Sequence, residues 1–238
     1  MSTLNAQVFK VKDNRIYGSI LAFTTIDALN QLYNEKHITP YNESDIAMLS
    51  KRNIFPVDRF MIKPYSKELS NSGTALTFVS LATAGFATMH DEPNYWDNFF
   101  VLSDIFVTQT AIAHWTKSLS LRDRPYLYCK ETEFSKKTSK DARLSFYSLH
   151  SSVVFSVAYY NYFYHEQTVQ DPFLTTSLYV IAAATGVSRI MSGEHFVSDI
   201  LVGAVLGSVI SYIKCNSWST DKYRITFQNE LLNIQVTL

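Results

Sequence analysis

The feature that most constrains this chain is a series of apolar blocks separated by charged loops. Five blocks are each about 17 to 19 residues long and hold at most one charged residue. They are 73–90, 98–116, 148–164, 172–188 and 196–213, preceded by a weaker block at 16–33. Their length lies at the lower end of the ~17–25 residues that a helix needs to cross a bilayer. The sequence therefore predicts an all-α bundle of six helices, of which five or six span a membrane.

A soluble helical bundle with deeply buried helices is the alternative interpretation. Short uncharged segments rich in Ser and Thr suit both environments. The mean hydropathy of −0.03 does not separate the two, because it averages apolar blocks with polar loops. The block lengths favour the membrane.

Length and charge bound the remaining possibilities. A chain of 238 residues suits one domain, which we expect to cover 1–238 with its helical core at about 73–213. The 21 basic and 21 acidic residues cancel, whereas a nucleic-acid partner would call for a basic surface. After the last block, alternation in 223–227 and 231–238 predicts a small β-hairpin around 228–230.

The segment 188–199 carries the strongest indication of chemistry. His195 and Asp199 are four residues apart, so on a helix they share one face. A carboxylate that holds the far ring nitrogen of a histidine makes the near nitrogen a better nucleophile. Arg189 lies close enough in sequence to bind an anion beside it. A purely structural His–Asp pair inside an apolar helix is the alternative.

Two further clusters lie upstream. Lys117 and Arg124 are seven residues apart, so both point the same way if the helix persists until Pro125 ends it. They could bind a phosphate, or they could anchor a helix end at the membrane surface. Arg122 lies between them and has no role that the sequence indicates.

The second cluster, 145–152, lies at the start of the block 148–164. Ser148 could bind a phosphate at a helix N-terminus or serve only as an N-cap. His150 could donate a proton or be an ordinary interfacial histidine. Neither residue alone distinguishes a catalytic site from ordinary helix capping.

Taken together, the three clusters resemble the signature of the type-2 phosphatidic acid phosphatase superfamily. The matching pattern is Lys-x(6)-Arg-Pro, then Ser-x-His, then Ser-Arg-x(5)-His-x(3)-Asp, and it covers residues 117–199. That superfamily also includes bacterial class A acid phosphatases and vanadium haloperoxidases. The six-helix layout of its membrane branch extends the resemblance to about 16–213.

The resemblance implies a role for each matching residue. His195 would attack phosphorus to form a phosphohistidine, Asp199 would orient it, and His150 would protonate the leaving group and then activate water. No metal or other cofactor would be needed, because three cations neutralise the transition-state charge. The groups that would bind the phosphate oxygens are Lys117, Arg124, Ser148, the backbone N–H of Leu149, and Arg189.

The second cluster departs from the superfamily pattern at two positions. The usual motif is Pro-Ser-Gly-His, but Tyr147 replaces the proline and Leu149 replaces the glycine. A leucine keeps the backbone N–H but could crowd the phosphate, whereas glycine allows close approach. These departures leave open a non-catalytic lipid-phosphate binder. A vanadium-dependent haloperoxidase, which would use the same residues to hold vanadate, is the other alternative that the resemblance implies.

The resemblance also implies a substrate and a location. A lipid phosphate or pyrophosphate would enter from the bilayer of a multi-pass membrane protein, in a bacterial cell membrane. We expect the site on the extracytoplasmic face. Loop charge conflicts with this in part, because the basic loop 117–147 would then lie outside, against the usual preference.

Overall fold

A computed structural model describes residues 7–11, 14–89, 94–168, 171–220, 223–228 and 231–236. Each of the six apolar blocks lies on one long helix, so the prediction of a six-helix all-α bundle is confirmed. His90, the last residue of the second block, lies outside the described residues. The long helices are α1 (Arg15–His37), α3 (Lys67–Met89), α4 (Tyr95–Ser120), α6 (Leu149–Gln167), α7 (Pro172–Met191) and α8 (Val197–Trp218).

Shorter elements build the two long connections. Helix α2 (Glu43–Ala47) begins at Asn42, whose side chain accepts a hydrogen bond from the backbone N–H of Asp45 in a capping box. Helix α5 (Phe134–Lys137) lies in the loop between α4 and α6. Single 3₁₀ turns complete the connections at Lys51–Asn53, Pro56–Met61, Pro125–Tyr128 and Lys140–Arg143.

Two of the described helices, α7 and α8, are long and apolar enough to cross a membrane. Their most apolar windows have mean hydropathies of 1.3 and 1.5, and only 33% and 28% of those windows are buried inside the protein. The core helix of a soluble protein would be mostly buried. Phe173 and Val205 are instead 82% and 62% exposed. The other four long helices have the required length but a more polar composition, so the hydropathy supports two of the five or six predicted spans.

Close contact between α6 and α8 fixes the geometry of the bundle. A Cβ atom on Gly203 would lie 2.7 Å from the backbone oxygen of Ser148, and one on Gly207 would overlap the carbonyl of Ser152. The missing side chains let the backbones approach, and Ser151 Oγ then donates to the backbone oxygen of Ile200 at 2.9 Å. The N-terminal ends of these two helices therefore lie side by side.

The bundle has two distinct ends. At one end the segment that precedes α1 meets the end of α8, where the backbone N–H of Lys10 donates to the oxygen of Trp218 at 3.1 Å. At the other end lie both long connections and the turn between α7 and α8. Lys140 Nζ, from the second connection, donates there to the backbone oxygen of Glu35 at 3.0 Å, near the end of α1.

Two strands follow α8 where the sequence predicts a hairpin. They are β1 (Tyr223–Gln228) and β2 (Leu231–Val236). They pair antiparallel, with Tyr223 opposite Val236 and Gln228 opposite Leu231. Residues 229 and 230, which complete the predicted turn, lie outside the described residues.

Candidate active site

Lys117 and Arg124, the first cluster, have different backbone conformations: Lys117 is helical and Arg124 is extended. Helix α4 ends at Ser120, and Leu121 follows it in the left-handed region at φ 45°. The prediction that a continuous helix carries both Lys117 and Arg124 is therefore wrong, because the helix stops before Arg124. Arg124 lies in extended backbone at φ −80° and ψ 150°, and Pro125 begins a 3₁₀ turn rather than ending a helix. Both cations are nevertheless buried.

Arg124 is held by the loop that follows α4. Its backbone N–H donates to the oxygen of Ala142 at 2.9 Å. Its Nη2 donates to Oδ1 of Asp141 at 2.7 Å, and its Nε donates to the Asp141 backbone oxygen at 2.9 Å. Burial alone would lower the pKa of Arg124, but the nearby Asp141 carboxylate outweighs it, and the pKa is raised above its usual range. The guanidinium stays charged.

The turn between α7 and α8 depends on Gly193. Its φ of +73° lies in the left-handed region, where side chains are disfavoured. A Cβ there would also lie 2.5 Å from the backbone oxygen of Lys63, in the first long connection. The oxygen of Gly193 accepts from the N–H of Tyr126 at 3.0 Å, and Ser66 N–H donates to Ser192 at 3.1 Å. Both long connections are thus joined to this turn.

His195 follows this turn directly and is 1% exposed. Its Nε2 lies 3.4 Å from Nη1 of Arg124, so this nitrogen faces the guanidinium. Its Nδ1 lies 3.6 Å from Oδ2 of Asp199, which is too long for a hydrogen bond. The carboxylate is on the expected side of the ring, but the predicted hydrogen bond between the two is not formed in this structure.

Other groups hold the carboxylate of Asp199. Oδ2 accepts from Ser145 Oγ at 2.6 Å and from the backbone N–H of Phe196 at 2.9 Å. The second bond caps the N-terminus of α8. The carboxylate is fully buried, so its charge requires such partners.

The other oxygen of Asp199 is bound by Arg122, to which the sequence assigns no role. Arg122 Nη1 donates to Oδ1 of Asp199 at 2.5 Å and to Ser198 Oγ at 2.8 Å. Its Nη2 donates to Oδ2 of the buried Asp58 at 2.7 Å. Asp58 in turn accepts from the N–H and Oγ of Ser198 at 3.1 and 2.7 Å. Arg122 therefore lies between two buried carboxylates and fixes the start of α8.

The second cluster forms the N-terminus of α6. Ser148 is the N-cap: its Oγ accepts from the N–H of Ser151 at 3.4 Å, and its own N–H donates to the Asp199 backbone oxygen at 3.2 Å. Leu149 is the first residue of the helix, where a backbone N–H has no intrahelical acceptor. Its side chain packs against the main hydrophobic core. The leucine therefore keeps the N–H without placing its side chain over the site.

His150 is half-buried in the first turn of α6. Its Nε2 lies 3.3 Å from Thr74 Oγ1, on the facing helix α3. Tyr147, the other departure from the superfamily pattern, is fully buried.

Arg189 approaches from the end of α7. Its Nη1 donates to both the backbone oxygen and Oγ of Ser70 at 3.1 Å, and a Cβ on Gly73 would lie 2.9 Å from its Cδ. Its Nη2 forms an ion pair with Oε2 of Glu194, which also lies 3.4 Å from Arg124 Nη1. The sequence did not indicate Glu194 as part of the site.

Burial and nearby positive charges lower the pKa of His195. Burial is the main cause that holds the pKa of His195 well below its usual range, followed by the positive charges of Arg124, Lys117 and Arg189. His150 contributes in the same direction. Burial and these charges favour the neutral form of the imidazole, and Arg124 is in direct contact with it, 3.4 Å from Nε2. The structure brings together side chains that are far apart in the sequence.

Three comparisons with known proteins bear on this arrangement. A model of the PAP2 superfamily matches residues 99–222, just over half of the chain. The lipid A 1-phosphatase of Porphyromonas gingivalis is 31% identical over 77 residues, which is 32% of this chain and 16% of that protein. The chain thus matches about a sixth of the length of that relative.

A solved structure gives a third comparison. The transmembrane PAP2-type phosphatidylglycerolphosphate phosphatase of Bacillus subtilis matches with a TM-score of 0.48 and 21% identity, covering 85% of this chain and 94% of the other. The matched family segment contains all of α4 except its first turn, the loop with Arg124, and helices α6 to α8 in full. On the strength of that match, the chain belongs to the PAP2 superfamily.

Proposed function

We propose that this protein is a phosphatase that hydrolyses a lipid phosphate or pyrophosphate through a phosphohistidine intermediate. One observation carries the proposal: Nε2 of the buried imidazole of His195 lies 3.4 Å from Nη1 of Arg124, and Arg124 shares the carboxylate of Glu194 with Arg189. Guanidinium groups bind phosphate oxygens with two parallel hydrogen bonds, and a preorganised cationic site stabilises charge that develops in the transition state. The cations are Lys117, Arg124 and Arg189, with the N-terminus of α6 adding Ser148 and the N–H of Leu149.

In the first half-reaction, Nε2 of His195 attacks phosphorus. Nε2 is the nitrogen that faces Arg124, whereas Nδ1 faces Asp199 and would carry the proton. A bond forms between Nε2 and phosphorus, and the bond to the leaving oxygen breaks. His150 enters this step protonated, because the negative charge of the bound phosphate offsets the neighbouring cations. It gives that proton to the leaving oxygen, so the alcohol or lipid phosphate leaves. Proton transfer of this kind contributes about 10²–10⁴-fold to the rate.

In the second half-reaction, His150 is neutral and accepts a proton from water. The hydroxyl oxygen attacks phosphorus, the Nε2–phosphorus bond breaks, and its electron pair returns to His195. Inorganic phosphate leaves, and both histidines regain their starting states. Asp199 supports the positive charge on the imidazole in the intermediate, because its carboxylate lies 3.6 Å from Nδ1.

The lipid character of the substrate is supported by the outer surface of the helices. Apolar side chains on α7 and α8 are exposed along their length, including Val187 at 59% and Leu201 at 61%, beside the site. An apolar surface of this kind suits contact with acyl chains. The two named relatives act on phosphorylated lipids according to their names. We place the site at the extracytoplasmic face of a cell membrane.

Phosphate release from a panel of purified lipid phosphates in detergent tests the proposal. We expect release from at least one of phosphatidic acid, phosphatidylglycerol phosphate, a polyprenyl pyrophosphate or a lipid A phosphate. Vanadate, which mimics five-coordinate phosphorus, should inhibit. Binding without release would identify a lipid-phosphate binder instead. Peroxide-dependent bromination in the presence of vanadate would identify a haloperoxidase.

A further inference from the structure

Glu194 places a carboxylate between the two arginines of the proposed phosphate site. The residue is 5% exposed and immediately precedes His195. Its Oε2 is ion-paired with Nη2 of Arg189 and lies 3.4 Å from Nη1 of Arg124. The backbone oxygen of Glu194 also accepts from Arg124 Nη1 at 3.0 Å, which fixes the residue beside the guanidinium.

The other carboxylate oxygen of Glu194 has its own partners. Ser70 Oγ donates to Oε1 at 3.1 Å, and Lys136 Nζ lies 3.8 Å away. Lys136 is held above the ring of Tyr65, with 4.3 Å between Nζ and the ring centre. Oε2 of Glu194 thus contacts the two arginines, whereas Oε1 is directed toward Lys136 at the edge of the site.

Carboxylate and phosphate oxygens bind a guanidinium in the same way, through N–H groups that point in fixed directions. Buried cations also require an anion nearby, since an uncompensated buried charge is costly. Before substrate arrives, Oε2 of Glu194 occupies the N–H groups that a phosphate would use. A phosphate that binds these same N–H groups must displace Oε2 from them.

We propose that Glu194 is an internal anion that the substrate phosphate displaces from Arg189 and Arg124. On displacement, Oε1 keeps Ser70 and Lys136 as partners, so the carboxylate need not lose its neutralising cation. The inference rests on the proposed phosphatase function. Its consequence is a weaker affinity for every phosphate-like anion, including the inorganic phosphate that must leave after each turnover.

The test compares Glu194→Gln with the full-length wild type in detergent. Glutamine keeps the shape and the hydrogen bonding of the side chain but removes its charge. Binding of vanadate and of inorganic phosphate is measured by calorimetry, and the thermal shift with each anion is measured in parallel. We expect the variant to bind both anions at least about tenfold more tightly, because one buried negative charge no longer competes.

Glu133→Gln is the matched control. Glu133 is an exposed glutamate in the same loop as Lys136, and its carboxylate accepts only a weak 3.4 Å hydrogen bond from Ser135 among the contacts described. Removing its charge should leave anion affinity within about twofold of wild type, because exposed charges are screened by solvent. A similar gain in both variants would show a general charge effect and would overturn the inference.

Other results for Glu194→Gln also test the inference. Equal or weaker anion binding in Glu194→Gln overturns the competition while leaving the phosphatase proposal intact. Absence of anion binding in every protein removes the phosphatase proposal as well. If the variant fails to fold, it is prepared in vanadate: recovery of folded protein only with the anion supports the exchange, and failure with and without it overturns the exchange.

Discussion

Arg122 Nη1 lies 2.5 Å from Oδ1 of Asp199, although the two residues are 77 positions apart in the chain. The same guanidinium holds Asp58 at 2.7 Å. Since His195 Nδ1 is 3.6 Å from Asp199, the carboxylate is positioned by this network and not by the histidine. The position of the carboxylate beside the proposed nucleophile therefore depends on an arginine outside the superfamily signature.

Replacing Arg122 should impair turnover more than binding. Arg122→Ala leaves two buried carboxylates without their shared cation, and Asp199 loses its fixed position behind His195. A misplacement of about 1 Å near reacting groups costs on the order of 10²-fold in rate. We expect kcat for lipid phosphate hydrolysis to fall by about that factor, with KM changed by less than about threefold.

Arg122→Lys and Arg52→Ala control this experiment. Lysine restores the charge but cannot bind both carboxylates through a planar guanidinium, so Arg122→Lys should recover part of kcat. Arg52 is an exposed arginine in the first connection, and its loss should leave kcat near wild type. A parallel loss of folded protein and of activity in Arg122→Ala, with unchanged kcat per folded molecule, would argue against a positioning role.

The two members of the His–Asp pair should differ in their effect. His195→Ala removes the proposed nucleophile and should abolish phosphate release without unfolding the protein. Asp199→Asn keeps the nucleophile but removes the charge that supports the imidazolium, so kcat should drop by roughly 10²–10⁴-fold and remain measurable. Steady-state phosphate release distinguishes them. Equal residual rates in the two variants would contradict the assigned roles.

The depressed pKa of His195 predicts a specific dependence of stability on pH. Above the unfolded pKa of about 6.5, the histidine is neutral in both states and adds no pH dependence. Below it, the unfolded chain binds a proton that the buried folded histidine does not. Stability should therefore fall as pH decreases from about 6.5, by up to about 1.4 kcal/mol per pH unit.

Thermal unfolding between pH 7.5 and 5 checks this effect. His195→Asn should show a flatter pH dependence than wild type, because the titrating group is gone. His37→Asn, at an exposed position, is the control for replacing a histidine outside the site. Identical slopes for wild type and His195→Asn would mean that the imidazole is not held neutral by its surroundings.

Gly207 and Gly18 offer a matched pair for helix packing. Alanine at 207 would overlap the carbonyl of Ser152 on α6, and overpacking of this kind costs about 1–3 kcal/mol. Nothing lies within 4 Å of a Cβ at Gly18 in α1, so alanine there should stabilise by about 0.5–1 kcal/mol. Melting temperatures should move in opposite directions. A stabilising Gly207→Ala would show that α6 and α8 are not in close contact.

The helices could be predicted from the sequence, because uncharged blocks mark helices by length. The resemblance of the Lys, Arg, Ser and His pattern to the superfamily signature implies a phosphate site, which stays a prediction. The end of α4 could not be located, because Leu121 adopts a left-handed conformation that its residue type does not favour. The change from helix to extended backbone between Lys117 and Arg124 therefore could not be predicted from the sequence.

The supporting network could not be predicted for a different reason. Arg122 acts through Asp58 and Asp199, and such contacts depend on how two long connections fold over one end of the bundle. Glu194 is adjacent to His195 in sequence, yet its role depends on Ser70 and Lys136, from other segments. A single sequence shows which charged residues exist, but not which of them share a buried site.

The most direct test of the account is to trap the phosphoenzyme. Wild type is mixed with a radiolabelled lipid phosphate substrate and quenched under denaturing alkaline conditions, because phosphohistidine is labile in acid. The account predicts label on the peptide that contains His195, and none in His195→Ala. Phosphate release by wild type without label at His195, or release by His195→Ala at the wild-type rate, would contradict it.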